Sequence, residues 1–291
     1  MNHLGIALET PDGTVWDLIN GPVRLKRTGV KGLGMPTVAS QVQELANVDG
    51  QRLAGWTLKP REVILPLRFE DASNTDLEGL QRTFWNALGI GVYSDLRVTT
   101  ADGRVRHLRV RFESDNTVAY EIQPYIYTAP FDLYLIADDP WWFGDPMVYA
   151  YSLAGSDVRN FFGGLDPAMA GVAPPFYISR SSGQTAFNLT NPGDIDAWPV
   201  WEIDGPVSIF SVGVSGKLVS GMIPILEGSS LIISTDPANQ SAKLDGVRVT
   251  RQLTALNFAP LPAGVQQALT IAVTGTGLVK VTFNPRYKRG F

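Results

Sequence analysis

The hydrophobic pattern of the first half of the chain predicts one amphipathic helix lying on β-strands. A capping box, Thr75-x-x-Glu78, is followed by apolar residues at helical spacing and by a closing Gly89. The stripe consists of Leu77, Leu80, Phe84, Trp85 and Leu88. Such a stripe needs a sheet to pack on, and the alternating segments 92–99, 104–113, 118–127 and 131–136 are predicted to supply its strands.

The segment 104–113 combines an apolar face with a basic one. Leu108, Val110 and Phe112 share one face, and Arg109 and Arg111 point the other way. Val105 breaks this phase, which predicts a β-bulge near residues 106–107.

Four arginines, Arg104, Arg106, Arg109 and Arg111, form the strongest charge feature of the sequence and are interface candidates. Three interpretations compete. The row could be a solvated sheet face, which is the commonest outcome. It could face acidic residues of a neighbouring subunit in a ring, or it could line a channel and meet DNA phosphates. The net charge of -4 disfavours the last of these.

A hairpin is predicted around Asp49-Gly50, a strong turn signal between segments 37–47 and 53–58. Both segments are only weakly apolar, so the hairpin has little core to bury. An isolated two-stranded hairpin is marginally stable in water. We therefore expect it to be an arm that a neighbouring subunit stabilises, which makes Asp49 and Gly50 interface candidates.

The second half of the chain is typical of a β-sandwich, because many short strands follow one another through close turns. The predicted strands are 176–179, 185–189, 198–203, 207–214, 218–220, 222–226, 230–234, 242–244, 246–250, 268–274 and 278–283. In the third of these, Trp201 shares the core face with Ala197, Pro199 and Ile203. Pro199 favours an edge strand or a strand start.

A junction between two domains, 1–136 and 137–291, is predicted at the string ADDPWWFGDP of residues 137–146. Closely spaced tryptophans and prolines favour a stiff, buried junction over a flexible linker. Trp141, Trp142 and Trp198 are therefore interface candidates. The alternative for these tryptophans is an exposed platform on which sugars stack.

Composition favours a turn-rich, mainly-β protein without catalytic chemistry. Hydrophobic residues make up 44% of the chain, and 29 glycines and 20 prolines interrupt it. The absence of cysteine excludes thiolate nucleophiles and cysteine-ligated metals. His3 and His107 are far apart, and aspartate pairs such as Asp138/Asp139 flank prolines, where side chains cap turns. We predict no catalytic, metal or cofactor site, and no signal peptide or membrane span.

Two strings carry a family resemblance: YLIADDPWWFGDP at 134–146 and NPGDIDAWPVWEIDGPV at 191–207. Together they resemble the distal tail proteins of long, flexible-tailed bacteriophages (siphophages), which belong to the phage tail-tip hub and minor tail proteins. The resemblance implies two β-sandwich domains. The first is a ring-forming belt with one helix and a hairpin arm, and the second is a galectin-like outer sandwich.

The resemblance also implies a place and partners. Six copies would close into a hub ring that joins the tail tube to the tip or fibre machinery of the virion, after synthesis in the host cytoplasm. The partners would be other copies of the chain, the major tail tube protein, the tape-measure protein and tail-associated hub or fibre proteins, with no membrane and no specific nucleic acid. The outer domain could bind glycans. The alternative function is a carbohydrate-binding, lectin-like module or adhesin without a role in tail assembly, and a glycoside hydrolase lacks a convincing acid/base pair.

Overall fold

The computed structural model describes residues 5–44, 49–70, 77–117, 128–152 and 187–291, and the chain divides into two compact units. Unit 1 comprises Met1–Asp145 and Arg286–Phe291, and unit 2 comprises Pro146–Pro285. Strands dominate both units, and one α-helix is found in the described residues, as the predicted mainly-β fold class requires. The division differs from the expected one after residue 136, because residues 137–145 and the last six residues belong to unit 1.

The elements follow one another in chain order. Unit 1 contains β1 (Gly5–Glu9), β2 (Val15–Asp17), β3 (Val23–Leu25), β4 (Val38–Glu44), β5 (Gln51–Leu58), β6 (Arg61–Glu70), α1 (Leu77–Leu88), β7 (Tyr93–Thr99), β8 (Val105–Thr117), β9 (Thr128–Ala137) and β10 (Trp142–Gly144). Unit 2 contains β11 (Met147–Ser152), β12 (Phe187–Thr190), β13 (Val200–Asp204), β14 (Val207–Val214), β15 (Lys217–Gly221), β16 (Ser230–Ser234), β17 (Ser241–Leu244), β18 (Val247–Arg248), β19 (Leu253–Leu256), β20 (Gln266–Gly275) and β21 (Leu278–Phe283). The chain returns to unit 1 with β22 (Arg286–Tyr287).

Unit 1 is built on one antiparallel sheet in the order β2-β1-β7-β8-β9-β6-β3, to which β10 and β22 are added beside β8. The N–H of Leu25 donates to the carbonyl of Leu18 over 2.8 Å, so the two ends of the sheet meet. The sheet thus curves around one apolar core. This pairing of β10 with β8 and β22 explains why the junction and the C-terminus are part of unit 1.

The predicted helix is confirmed as α1. Its apolar stripe lies on the sheet, where Phe84 is fully buried and its ring meets those of Trp16 and Phe69 at centroid distances of 5.1 and 5.5 Å. Gly89 ends the helix with a left-handed φ of 60°, which glycine adopts at low cost. Thr75 of the predicted capping box lies outside the described residues.

Strand β8 corrects one prediction. Its register with β7 is continuous from Val105 to Arg111, so there is no bulge near residues 106–107. The irregularity lies against β9, between Phe112 and Ser114. With this continuous register, alternation places Val105 on the outer side together with Arg109 and Arg111, where it is half-buried. The predicted strand 118–127 lies outside the described residues.

Unit 2 has two antiparallel sheets around a shared core. One has the order β11-β21-β13-β16-β17-β18, and the other has the order β12-β20-β14-β15-β19. Buried residues of both sheets form one apolar cluster, which is the arrangement of a β-sandwich. The segment 222–226 forms no strand, and Ile225 makes only a single bridge to Val207. Segments 176–179 and 160–175 lie outside the described residues.

The strand that carries Trp201 is central in its sheet. β13 lies between β21 and β16, so the edge-strand interpretation is wrong. Pro199 directly precedes β13, and its carbonyl accepts hydrogen bonds from Thr235. The alternative of a strand start is therefore confirmed, because a proline before the first ladder position removes no donor from the sheet. Trp201 and Ile203 are buried in the core, as predicted.

Candidate assembly surface

The hairpin of β4 and β5 pairs only with itself among the described residues. Val38 lies opposite Leu58 and Ser40 opposite Trp56, but the register shifts before Val42, which lies opposite Leu53. Ala54 is thereby left without a cross-strand partner. Partners across an antiparallel pair point to the same side, so the bulge brings Leu53 to the face that carries Trp56.

The result is one apolar side on the hairpin, formed by Val38, Val42, Leu53, Trp56 and Leu58, which we call the hairpin face. Trp56 is 61% exposed and Leu53 is 57% exposed within the chain. The opposite side carries polar residues such as Gln43 and Arg52. The hairpin is weakly apolar, as expected, and the bulge places its few apolar residues on one side.

Asp49 and Gly50 lie at the tip of this hairpin, just after the undescribed residues 45–48. Both are exposed, and Gly50 has a φ of 94° that favours glycine. Their position agrees with the predicted turn. Whether they touch another subunit remains a prediction.

A second apolar patch lies at the end of α1. Ile90 stands between Gly89 and Gly91, both at positive φ, and is 90% exposed. Val92 beside it is also exposed. We call Ile90 and Val92 the loop patch. This patch was not predicted from the sequence, although an isoleucine between two glycines after a helix is a visible signal.

The four candidate arginines do not share one face. Arg109 and Arg111 lie on the outer side of β8, whereas Arg106 follows the alternation of Leu108 and Val110. The Arg106 guanidinium lies 4.2 Å from the centroid of the Tyr287 ring and donates to a backbone carbonyl. The single basic row predicted from sequence is therefore not present.

Each of these arginines has a partner within unit 1. Arg104 pairs with Asp102 at 3.1 Å, and the Arg109 guanidinium lies 4.0 Å from the centroid of the Tyr93 ring. Arg111 pairs with Asp138 and with Glu113. These contacts favour the interpretation of a solvated sheet face for Arg109 and Arg111.

Asp138 is the common acceptor on this face. The Tyr93 hydroxyl donates to it over 2.8 Å, and Arg111 approaches it to 3.3 Å. The hydrogen bond from Tyr93, supported by Arg111, holds the pKa of Asp138 below its usual value. The carboxylate therefore stays ionised and fixes the start of the junction on the sheet.

The candidate tryptophans lie in different environments. Trp142 is fully buried in the core of unit 1, and a Cβ atom at Gly290 would come within 2.9 Å of its ring. This position agrees with the interpretation of a buried junction, and no part of the Trp142 side chain is exposed for sugars to stack on. Trp141 in unit 1 and Trp198 in unit 2 are partly exposed and stay candidates.

His107 joins two carboxylates on the outer side of unit 1. Its Nδ1 lies 2.6 Å from Asp95 Oδ2, and its Nε2 lies 3.2 Å from Asp145 Oδ1. The hydrogen bond to Asp95, with a smaller contribution from Asp145, raises the pKa of His107 above its ordinary value. His107 therefore has a structural role on the strand face, and its contact with Asp145 fixes the last residue before unit 2.

In the part of the chain that the structure describes, no group of three or more histidine, aspartate and glutamate side chains could hold a metal ion. No helix there is long and apolar enough to cross a membrane.

Comparisons with known proteins find the same fold in phage tails. No protein-family model and no curated protein matches the chain. Among solved structures, the chain is similar to the Dit protein of phage SPP1, described as a paradigm of the hub adsorption apparatus in phages that infect Gram-positive bacteria. The TM-score is 0.65 at 13% identity, over 98% of this chain and 99% of that one.

A second similarity is to a chain of the phage p2 baseplate in its activated conformation with calcium. The TM-score is 0.56 at 11% identity, over 97% of this chain and 98% of that one. The strontium form of that baseplate gives a TM-score of 0.54, also at 11% identity. The resemblance to siphophage distal tail proteins is thus confirmed at the level of the fold.

Proposed function

We propose that this protein is a structural component of a bacteriophage tail tip, where it forms a hub. One observation carries the proposal. The fold of the SPP1 hub protein extends over 98% of this chain and 99% of that one, so both units have a counterpart. A single shared sandwich would be weak support, since one fold serves many functions. A shared pair of units in the same order is a much more specific likeness.

The hub is a ring of identical copies, six in the form that the resemblance implies. A closed ring with more than two members needs two different surfaces that fit each other, one on each side of the subunit. Unit 1 offers the hairpin face and the loop patch. Contiguous exposed apolar residues of this kind mark sites of protein association. We propose that the hairpin face of one copy packs on the loop patch of the next.

The stability of the hairpin supports this assignment. A two-stranded sheet with a solvent-exposed apolar side is only marginally stable by itself. Covering Trp56 and Leu53 would stabilise the hairpin by roughly 1.5–3 kcal/mol for each large side chain buried. In a ring, every subunit has a neighbouring copy that can cover its hairpin face.

Within the virion, the ring lies at the distal end of the tail and joins the tail tube to the tip or fibre machinery. Its proposed partners are the major tail tube protein, the tape-measure protein and tail-associated hub or fibre proteins. Unit 1 is the ring-forming belt and unit 2 the galectin-like outer domain, synthesised with it in the host cytoplasm. The role is structural rather than enzymatic.

Immunogold electron microscopy of phage particles produced from a genome that encodes this chain tests the proposal. Gold-labelled antibodies against the purified protein should decorate the distal tail end. Antibodies against the tail tube protein serve as the control and should decorate the tail shaft. Label on the head, or particles that lack the chain altogether, would contradict a tail-tip role and favour a free lectin-like module.

A further inference from the structure

Three cations lie together at one edge of the six-stranded sheet of unit 2. Lys243 on β17 is directly opposite Arg248 on β18, which is the last strand of that sheet. Arg251 follows in the short 3-10 turn Thr250–Gln252. All three side chains belong to exposed residues. We call these residues the cationic edge.

The cationic edge is unusual on its own sheet. Like charges directly opposite each other on antiparallel strands destabilise the pair. Lys280, in the same cross-strand row, is paired with Glu202 at 3.3 Å and with Asp204 at 3.0 Å. Among the described residues, no carboxylate forms an ion pair with any member of the cationic edge. The chain has a net charge of -4, so this local excess of positive charge is opposite in sign to the net charge of the chain.

The nearest carboxylate along the chain is engaged elsewhere. Asp245 lies in the turn between β17 and β18, and its Oδ1 accepts a hydrogen bond of 2.9 Å from the N–H of Ser230. Asp236, before β17, accepts from the N–H of Ala238 in its own turn. Both carboxylates therefore accept hydrogen bonds from the backbone, and neither forms an ion pair with the cationic edge.

The Arg248 guanidinium is held in place by its own surroundings. Nε donates to Thr250 Oγ1 over 3.4 Å, and Nη2 donates to the carbonyl of Gln240 over 3.3 Å. Nη1 has no partner among the described residues. A donor that is already oriented loses less conformational entropy when it binds a ligand.

A cleft adjoins these groups. It is lined by residues 248–252 and has a volume of about 610 Å³. Clefts of roughly 300–1,000 Å³ are typical of small-ligand sites. The cleft and the cations together provide both the space and the charge for an anionic group.

We propose that the cationic edge binds a phosphate group, either free or carried by a polymer. Arg248 and Arg251 line the cleft, and Lys243 lies opposite Arg248 on the neighbouring strand. Three cations in this arrangement suit a group with several acceptor oxygens and up to two negative charges. A carboxylate offers two oxygens and one charge. Arginine and lysine are the usual phosphate ligands, the former through its planar fork and the latter as a point charge. The proposal goes beyond the tail-tip role and does not depend on it.

Isothermal titration calorimetry on the full chain tests this site with three probes: inorganic phosphate, polyphosphate and poly-L-glutamate. Polyphosphate should bind, and sodium chloride should weaken its binding because the contacts are ionic. The double variant Lys243→Gln/Arg248→Gln should bind polyphosphate about a hundredfold more weakly, since it removes two charge-assisted contacts that are each worth about tenfold in affinity.

The matched control is Lys217→Gln, which removes one exposed cation from the other sheet of unit 2. Arg251→Gln supplies a second single change at the site itself. The control should keep the wild-type affinity, whereas Arg251→Gln should lose affinity. Far-ultraviolet circular dichroism of each variant verifies that the fold is intact.

The relative affinities of the three probes decide between the possible ligands. Tighter binding of polyphosphate than of inorganic phosphate supports a polymeric ligand, and equal affinities support single phosphate groups from any source. Poly-L-glutamate that binds more tightly than polyphosphate would overturn the proposal in favour of an acidic protein partner. Absence of phosphate binding, or an equal loss of affinity in Lys217→Gln, would overturn it as well.

Discussion

The Arg61 side chain donates a hydrogen bond of 3.0 Å to the carbonyl oxygen of Lys288, a residue 227 positions further along the chain. The same guanidinium donates to the carbonyls of Gly32, Gly34 and Pro140. Arg61 is 2% exposed, and burial lowers its pKa to about 10, which leaves it charged at neutral pH. One buried cation thus joins an early loop, the junction and the C-terminus within unit 1.

Replacing this guanidinium should destabilise unit 1. We expect Arg61→Met to cost roughly 3 kcal/mol or more, because several buried carbonyls lose their donors at once. The matched control is Arg68→Met on the same strand, where a partly exposed arginine pairs with Glu70. That change should cost less than about 1 kcal/mol. Urea denaturation followed by tryptophan fluorescence measures both, and equal losses would contradict the role of Arg61.

The C-terminal residues should stabilise unit 1 rather than unit 2. Deleting residues 286–291 removes β22, its pairing with β10 and the contact of Gly290 with the Trp142 ring. We expect faster hydrogen exchange in β8 and β10, with β13 and β16 unchanged. Deletion of the exposed Phe291 alone is the control and should leave all four strands as in the wild type. Faster exchange confined to unit 2 would show that the assignment of the C-terminus is wrong.

The His107 cluster predicts a pH dependence. Both ring nitrogens face carboxylates, and only the protonated ring can donate to Asp95 and Asp145 together. The pKa of His107 is raised in the folded chain, so its stabilising effect is complete below the ordinary value of 6.5. That effect is lost as the pH rises through the higher folded pKa.

An NMR titration of the His107 ring measures this pKa directly. Asp95→Asn should lower it more than Asp145→Asn does, because the hydrogen bond to Asp95 is the largest cause of the shift. Arg97 also contacts Asp95 and belongs to the same cluster. A wild-type pKa at or below 6.5, or a larger effect of Asp145→Asn, would refute this account.

The two tryptophans near the start of β13 should differ in their effect on stability. Trp201 is 1% exposed in the core of unit 2, so Trp201→Ala should cost roughly 3–5 kcal/mol. Trp198 is only partly buried, and Trp198→Ala should cost clearly less. Chemical denaturation of the full chain compares them. Equal losses would mean that Trp198 is as much a core residue as Trp201.

Sequence patterns predicted the structural features that depend on residues close together in the chain. The stripe of α1 and the core positions Trp201 and Ile203 follow from periodicity, because burial repeats with the geometry of one element. The position of β13 within its sheet does not, since strand order depends on pairing between remote segments. The contacts of Arg61 could not be predicted for a similar reason. Its partners are backbone carbonyls, which every residue type has, so the sequence does not identify them.

The hairpin illustrates why the candidate surface was only half predicted. The turn at Asp49-Gly50 is a local signal, and the hairpin was found from it. The apolar face depends on the one-residue bulge opposite Gln41 and Val42, which reverses the side to which Leu53 points. A prediction from simple alternation therefore places the apolar residues on both sides of the hairpin and does not reveal the hairpin face.

The mass of the purified protein in solution, measured by multi-angle light scattering, tests ring formation most directly. The account predicts a mass near six times the chain mass of 31.7 kDa. Trp56→Ser and Ile90→Ser should each shift the protein towards monomer, because each leaves one side of the contact without its largest apolar group. Met222→Ser, an equally exposed apolar residue in unit 2, is the control and should leave the mass unchanged. A wild-type protein that stays monomeric at every concentration, or a ring that both unit 1 variants leave intact, would contradict the account.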